Sequence, residues 1–222
     1  MKLWLDGLQE PLVIDGEHVC SLVIENPTFM LNVLRDIHDQ CQGESGKAVL
    51  SYKNEILAID RGVELMTDFV TFDGNKKSLL TKIFHVLENV ANDEVYYHRT
   101  QKLLADMECY FNDLSMEQDV ELAYDKLSLN NLLKSVGMRV VIDYNKLVER
   151  LLAYMDLVRR FDREKLFLLV NLRSFVSVED TNLFMKTVAA HGFRVLLIDN
   201  QTYPVLAWEK RRIIDIDLCE LQ

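Results

Sequence analysis

The chain has 222 residues, of which 49% are hydrophobic and 27% charged, and its formal net charge at pH 7 is −10. This composition is typical of a folded protein with a real core, and the net charge argues against a general binder of polyanions but leaves room for a local basic surface. No apolar run approaches the roughly 20 residues that cross a bilayer, and the first residues lack a secretory signal pattern. Four scattered cysteines are typical of reduced thiols, so we expect a cytoplasmic bacterial protein without a membrane partner.

The first third of the chain predicts strands around one helix. Residues 12–14 and 18–25 favour two short strands that a turn at residues 15–16 joins as a hairpin. Two further strands are expected near residues 48–59 and 63–70.

The stretch GESGKAVLS, residues 43–51, resembles the end of a phosphate-binding loop. That motif requires a glycine five residues before Gly46, where Cys41 stands, and a hydroxyl after Lys47, where Ala48 stands. The stretch also follows a helical pattern and leads into a strand, whereas a phosphate-binding loop follows a strand and opens a helix. We therefore interpret it as a polar turn between a helix and a strand.

A strand does lead into a helix earlier in the chain. Asn26 is a suitable N-cap and Pro27 a suitable first residue for a helix whose apolar residues recur at helical spacing. This is where an α/β nucleotide-binding domain holds phosphate, yet the sequence Glu25-Asn26-Pro27-Thr28 contains neither glycine nor lysine. We expect no nucleotide at this position.

The middle of the chain is helical in pattern. Residues 77–114 predict two helices separated near residues 91–94, and a shorter helix ends at Gly137 in a left-handed conformation. Another long helix is expected over residues 144–160. We interpret these helices as an insertion into a surrounding domain.

The last third predicts a βαβ unit. Residues 165–171 and 193–199 are nearly continuous apolar runs, as in strands that are covered on both faces. Between them, Ser177 is a suitable helix start and Gly192 a suitable stop. A βαβ unit implies a parallel sheet, so the fold class is α/β.

The predicted organisation is an α/β head domain, residues 1–73 plus 161–222, with an elongated α-helical domain inserted over residues 74–160. Five segments, in this order and spacing, resemble the CRISPR-associated adaptation protein of type II-A systems, the Csn2 family, in its short form. The segments are EPLVIDG, LVIEN, TDFVTFDGN, ELAYDKLSLNNLLKSVG and KLFLLVNLRSFVSVED.

The resemblance implies a fold and a function. Members of the family pair a degenerate P-loop-ATPase-like α/β domain, without nucleotide hydrolysis, with an elongated helical domain. They form ring-shaped homotetramers whose basic hole takes double-stranded DNA, and they bind free DNA ends and structural calcium ions. They act in spacer acquisition beside the integrase and effector nuclease of the system.

Candidate metal ligands lie in an acid-rich segment, where carboxylates at close spacing can supply the oxygens that calcium requires. The resemblance assigns this role to Glu117, Asp119, Glu121 and Asp125. Ala123 and Lys126 depart from the family pattern. The alternative interpretation is an acidic surface in contact with solvent.

Candidate DNA-binding residues are lysines and arginines, whose positive charges neutralise backbone phosphates and do not read the nucleotide sequence. They are Lys47, Lys53, Lys76, Lys77, Lys134 and Arg139. Taken singly, each also fits an ordinary surface residue.

The sequence contains no catalytic signature, so we expect a non-enzymatic DNA-end-binding protein. The first alternative is an atypical P-loop-derived ATPase or nuclease that uses an acid such as Asp68 or Asp199. The second alternative is a protein scaffold of the adaptation complex.

Overall fold

The computed structural model describes residues 1–120, 122–123 and 125–221. Within them the chain is mixed α/β, with seven α-helices and two β-sheets, as the sequence predicted in outline. Two compact units are present. One, which we call the α/β unit, combines Met1–Asp73 with Ile142–Gln222, and the other, the helical unit, is Gly74–Val141.

Strands and helices are numbered in chain order. The strands are β1 Lys2–Trp4, β2 Leu12–Val13, β3 Val19–Ile24, β4 Val49–Tyr52, β5 Glu55–Leu57, β6 Val63–Met66, β7 Leu166–Val170, β8 Arg194–Asp199, β9 Glu209–Ile214 and β10 Glu220–Leu221. The helices are α1 Pro27–Cys41, α2 Ile59–Gly62, α3 Lys77–Ala91, α4 Tyr97–Met116, α5 Leu129–Ser135, α6 Leu147–Phe161 and α7 Val178–His191.

The larger sheet has the order β10-β9-β3-β8-β7-β6, in which β10 is antiparallel to β9 and the other neighbours are parallel. All six residues of β3 are buried, as expected for an apolar strand near the centre of a parallel sheet. Leu22 and Ile24 share a core with Met30, Val33 and Ile37 of α1. This core fixes the start of α1 at the carboxyl end of β3.

The smaller sheet is antiparallel, with the order β2-β1-β4-β5. The predicted hairpin between residues 12–14 and 18–25 is wrong, because β2 pairs with β1 through Leu3 and Leu12 while β3 belongs to the larger sheet. The physical reason is that all six residues of β3 are buried, which suits a central strand of a parallel sheet that is covered on both faces, and β3 pairs there with β8 and β9.

The βαβ prediction near the end of the chain is confirmed. β7 and β8 are parallel neighbours joined through α7, in the register Leu166 to Arg194. Ser177 caps α7 by accepting a hydrogen bond from the Asp180 amide, and Gly192 ends the helix with φ of 65°. At that φ a side chain would be strained, which explains the glycine.

The helical unit contains α3, α4 and α5. The hydroxyl of Thr100 donates a 2.9 Å hydrogen bond to the carbonyl of Ala91 and so fixes the turn between α3 and α4. Asn130 of α5 donates to Glu88 of α3 at 3.4 Å. The separation of two helices near residues 91–94 is therefore confirmed, and so is the left-handed Gly137, whose φ is 66°.

Helix α6 does not belong to the helical unit, although the predicted insertion extended to residue 160. The helical unit ends at Val141, and α6 lies in the α/β unit. Leu151 and Met155 of α6 are fully buried, and Arg159 donates a 2.7 Å hydrogen bond to the carbonyl of His191, the last residue of α7. The apolar stripe of α6 thus covers the α/β core.

Among the residues that the structure describes, no helix has both the length and the apolarity needed to cross a membrane.

Candidate nucleic-acid and metal sites

The position where an α/β sheet would hold a nucleotide phosphate lies between β3 and α1. Here Asn26 accepts a hydrogen bond from the amide of Phe29 at 3.0 Å and donates one to the carbonyl of Ile216 at 2.9 Å. Glu25 accepts a 3.3 Å hydrogen bond from the hydroxyl of Thr202. Protein groups therefore use these polar atoms, and the turn between β3 and α1 carries a carboxylate and no lysine.

The Gly46-Lys47 stretch is a turn between α1 and β4, as the sequence predicted. The carboxylate of Asp36 accepts hydrogen bonds from the amides of Lys47 and Ala48 at 2.8 and 2.7 Å. The Lys47 ammonium pairs with Asp6 at 2.6 Å. A protein carboxylate thus occupies the amides that would face phosphate in a phosphate-binding loop.

The two acids of the enzymatic alternative differ in environment. Asp199 is fully buried, with its Oδ2 3.0 Å from Nε of Arg173, and burial raises its pKa to about 6 although the Arg173 charge opposes that rise. Asp68 is exposed and accepts hydrogen bonds from the amides of Val70 and Thr71 at 2.9 and 3.2 Å. A hydrogen bond from the Thr71 hydroxyl lowers the pKa of Asp68. Each carboxylate therefore already has a structural contact.

Three of the candidate DNA-binding residues lie together at one end of the helical unit. Lys76 is the N-cap of α3 and Lys77 its first residue. Asn75 accepts a hydrogen bond from the amide of Val140 at 2.8 Å and donates to its carbonyl at 3.1 Å, which holds Arg139 beside the start of α3. We call Lys76, Lys77 and Arg139 the basic cluster.

The start of α3 suits an anion. The helix macrodipole places partial positive charge at an N-terminus, where acidic residues are normally favoured. The first turn of α3 has no acidic residue, and the Lys76 side chain does not cap it. Two lysines at this place add to the helix field, so the start of α3 and its amides favour a phosphate.

The other three candidate bases are not in the basic cluster. Lys134 is exposed in the last turn of α5, in the helical unit. Lys47 and Lys53 belong to the α/β unit. The ammonium of Lys53 lies 5.1 Å from the centre of the Tyr52 ring, and Lys47 is paired with Asp6.

The candidate metal ligands follow α4. Glu117 is the C-cap of that helix, and Asp119 and Asp125 are exposed in the segment before α5. Glu121 lies outside the described residues. The three described carboxylates are not a group with ligand atoms within 4.8 Å of one another, so as described they do not form a metal cage.

Among the described residues, a different group brings three ligand atoms within 4.8 Å of one another. It consists of Asp15, Glu17 and His18, and the sequence did not indicate it. The Asp15 carboxylate accepts hydrogen bonds from the amides of Glu17 and His18 at 2.9 and 3.1 Å and pairs with Lys210 at 2.6 Å. These contacts, with the Lys210 bond strongest among the favourable ones, lower the Asp15 pKa against the opposing effect of its partial burial. The group is a turn closed by its own carboxylate.

Sequence reasoning also missed a buried ionic cluster, which we call the Arg173 cluster: Ser21, Arg173, Asp199, Glu209 and Arg211. Arg173 is 6% exposed, and its Nη2 donates to Ser21 and, at 2.7 Å, to Glu209. Glu209 also pairs with Arg211 at 2.8 Å. The only signal in the sequence is a charged residue directly after the apolar run of β7 and Leu172.

Comparison with known proteins identifies relatives over most of the chain. A family model described as CRISPR-associated protein (Cas_Csn2) matches residues 40–218. A CRISPR-associated protein Csn2 of Streptococcus agalactiae is 21% identical over 196 residues, 85% of this chain and 87% of the relative. One of Enterococcus faecalis is 20% identical over 204 residues, 90% of each chain.

A solved structure described as an ABC transporter ATP-binding protein from Pyrococcus furiosus covers 95% of this chain and 97% of its own, with 10% identity and a TM-score of 0.40. That likeness is too low to carry an argument about the fold. The family model, in contrast, spans well over half of the sequence and agrees with both relatives. The chain therefore belongs to the CRISPR-associated Csn2 family.

Proposed function

We propose that the protein is a non-catalytic, ring-forming protein that binds the ends of double-stranded DNA in CRISPR adaptation. Membership of the Csn2 family carries the link to CRISPR. The observation that supports DNA binding is the basic cluster, in which Lys76, Lys77 and Arg139 meet at the start of α3. Contacts there would be with the phosphate backbone and independent of base sequence.

The α/β unit is, in this proposal, a degenerate P-loop-ATPase-like domain with the helical unit inserted into it. The strand–turn–helix arrangement of β3 and α1 supports the relationship, because a nucleotide phosphate would lie at that edge. Glu25 and Asn26 bond to Thr202 and Ile216 at this place, which supports a protein that neither binds nor hydrolyses nucleotide.

The ring would be a homotetramer with basic residues lining its hole and acidic residues on its outer surface. Such an arrangement reconciles a net charge of −10 with binding to a polyanion. A closed ring loads onto DNA only from an end, which gives the selectivity for ends. In the adaptation complex, the integrase and the effector nuclease of a type II-A system would be its protein partners.

Calcium is part of the proposal as a structural ion. Carboxylate oxygens are the ligands that calcium prefers, and Glu117, Asp119 and Asp125 are exposed between α4 and α5. These three residues do not form a cage as described, so any calcium site would need the segment to close around the ion. Calcium would then neutralise mutual repulsion in this acidic segment.

The test is a gel-shift comparison of one DNA in linear and covalently closed circular forms, each with calcium or with a chelator. We expect retention of the linear form alone, weakened by the chelator. Equal retention of both forms would exclude threading and leave a protein that binds DNA on its surface. No retention of either form would favour a scaffold, and DNA cleavage or release of phosphate from ATP would overturn the non-catalytic assignment.

A further inference from the structure

The segment between β2 and β3 brings together three side chains of types that bind metal ions. Asp15, Glu17 and His18 each offer one ligand atom, and the three atoms lie within 4.8 Å of one another. Imidazole nitrogens and carboxylate oxygens are both ligands of zinc in proteins. Because the three residues lie within four consecutive positions, a single fixed turn is enough to keep their side chains together.

The fold fixes this turn on three sides. Before it, the amide of Ile14 donates to the carbonyl of Met1 at 2.9 Å, and the Met1 ammonium donates to the Ile14 carbonyl at 3.0 Å. After it, Val19 begins β3, whose six residues are all buried. Within it, Gly16 has a φ of 85°, and a Cβ there would lie 3.2 Å from the carbonyl oxygen of Gly192. The backbone that carries the three ligands is therefore set by the rest of the α/β unit.

The carboxylate of Asp15 has one oxygen that orients the turn and one with an exchangeable partner. Oδ1 accepts the amides of Glu17 and His18, and Oδ2 accepts the ammonium of Lys210. The Lys210 side chain is 54% exposed, and ion pairs that face solvent stabilise a protein little. A divalent cation can replace the ammonium on Oδ2 at small cost, and it balances both carboxylates, whereas Lys210 balances one.

The other two ligands have no protein partner. Within the part of the chain that the structure describes, the Glu17 carboxylate forms no hydrogen bond or ion pair, and neither ring nitrogen of His18 forms a hydrogen bond. Nδ1 of His18 is also shielded from solvent, so water does not replace the missing partner. A cation bound at either ring nitrogen would therefore break no existing bond of the imidazole.

We propose that Asp15, Glu17 and His18 bind a zinc ion, with a water molecule as the fourth ligand. The imidazole nitrogen favours zinc over calcium, which takes oxygen ligands. Ligand atoms around a tetrahedral zinc ion lie about 3.3 Å apart, so the group contracts by at most about 1.5 Å on binding. The exposed side chain of Glu17 is free to make that movement.

This site is separate from the two sites of the proposed function. It belongs to the α/β unit, whereas the basic cluster lies in the helical unit and the calcium candidates lie between α4 and α5. The donor sets also differ, because the calcium candidates are carboxylates alone. Zinc binding here can therefore be tested without DNA and stands or falls independently of the DNA-binding proposal.

The test is calorimetric titration of the full chain with zinc chloride, after a chelator has removed bound metal. We expect saturable binding with a Kd on the order of 10 μM. Glu17→Gln and His18→Ala should each weaken it at least tenfold, and Glu17 is exposed, so its replacement leaves the fold intact. Lys210→Met removes the ammonium that competes for Asp15 and should tighten binding by up to about fivefold.

His38→Ala combined with Glu44→Gln is the matched control, because these exposed residues have the same types and lie outside the group. The control should bind zinc as the wild type does, and a tenfold excess of calcium should not displace the ion. The proposal is overturned by a lack of saturable binding, by unchanged binding in the Glu17 or His18 variant, or by equal weakening in the control. Displacement by calcium, or weaker binding in Lys210→Met, would also overturn it.

Discussion

Tyr154 of α6 donates a 2.7 Å hydrogen bond to the carboxylate of Glu64 in β6, inside the α/β unit. Both residues are buried, at 1% and 8% exposure. Burial raises the pKa of Tyr154, and the Glu64 charge and hydrogen bond add to the rise, so the hydroxyl stays a donor. This bond ties an edge strand of the larger sheet to the helix that follows the helical unit in sequence.

Tyr154→Phe should lower the free energy of unfolding by about 1.5–3 kcal/mol, because it removes a buried hydrogen bond to a charged group. Urea denaturation measures the change. Tyr144→Phe, at a residue that is 52% exposed, is the control and should cost less than about 0.5 kcal/mol. Equal losses in the two variants would show that the bond contributes nothing specific.

Asp199 should make stability fall as pH rises from 4 to 6. Its pKa is about 6 in the folded protein against 3.8 for the free side chain, because burial disfavours the charged form. The folded state therefore holds this proton more tightly, and the resulting stabilisation is complete below pH 4 and lost by about pH 6. Over this range it amounts to about 3 kcal/mol.

Asp199→Asn removes this contribution, so the stability of the wild type relative to the variant should decrease between pH 4 and 6.5. Taking the difference cancels the opposite effect of Asp15 and Asp180, whose pKa values are lowered. Urea denaturation of both proteins at four or five pH values measures the difference in their free energies of unfolding. A constant difference across the range would mean that Asp199 titrates alike in the folded and unfolded chain.

Lys76→Glu combined with Lys77→Glu should reduce DNA affinity at least tenfold. Two positive charges at the start of α3 become negative, and both the phosphate contacts and the helix field are then opposed. Gel shift or anisotropy with linear duplex at fixed salt gives the affinity. Lys2→Glu with Lys186→Glu, two exposed lysines with the same total charge change, is the matched control.

The control separates local contact from net charge. If both double variants lose affinity equally, the effect is long-range electrostatics and the basic cluster is not the contact. If neither loses affinity while the oligomer stays intact, these lysines do not bind DNA.

Gly46→Ala should destabilise the α/β unit by about 1–2 kcal/mol without altering any nucleotide-dependent property. A Cβ at residue 46 would lie 2.5 Å from Asp36 Oδ1 and from two atoms of Gln40. Asp36 holds the amides of Lys47 and Ala48, so this side chain cannot retreat freely. Thermal unfolding measures the change. Ser45→Ala, at the exposed neighbouring residue, is the control. An unchanged melting temperature of Gly46→Ala would contradict the tight packing of this turn.

Local signals predicted the elements whose burial is complete or whose ends are capped. The apolar runs of β7 and β8 and the stop at Gly192 could be predicted because each follows from the residues themselves. The pairing of β2 with β1 could not be predicted, because a strand of two residues carries too little pattern to indicate which strand it pairs with. β9 was missed because its sequence EKRRII is charged, and only the fold supplies acids such as Asp15 and Glu220 for its bases.

Site residues were harder for the same reason. The basic cluster depends on Asn75 joining residue 140, a contact between positions 65 residues apart. In the sequence Arg173 is a single basic residue after an apolar run, yet the structure buries it between Asp199 of β8 and Glu209 of β9. Helix α6 has an amphipathic stripe that looks alike whichever unit it covers, so the boundary at residue 160 could not be corrected from the pattern.

The position of β3 between β8 and β9 has a consequence during biosynthesis. Both edges of this strand stay open until residues 194–214 have been made, because its two neighbours are the last long strands of the chain. The helical unit has its partners close in sequence and is complete once residue 141 has emerged. On a translating ribosome, α3 to α5 can therefore fold first, while the α/β unit closes only after nearly the whole chain has been synthesised.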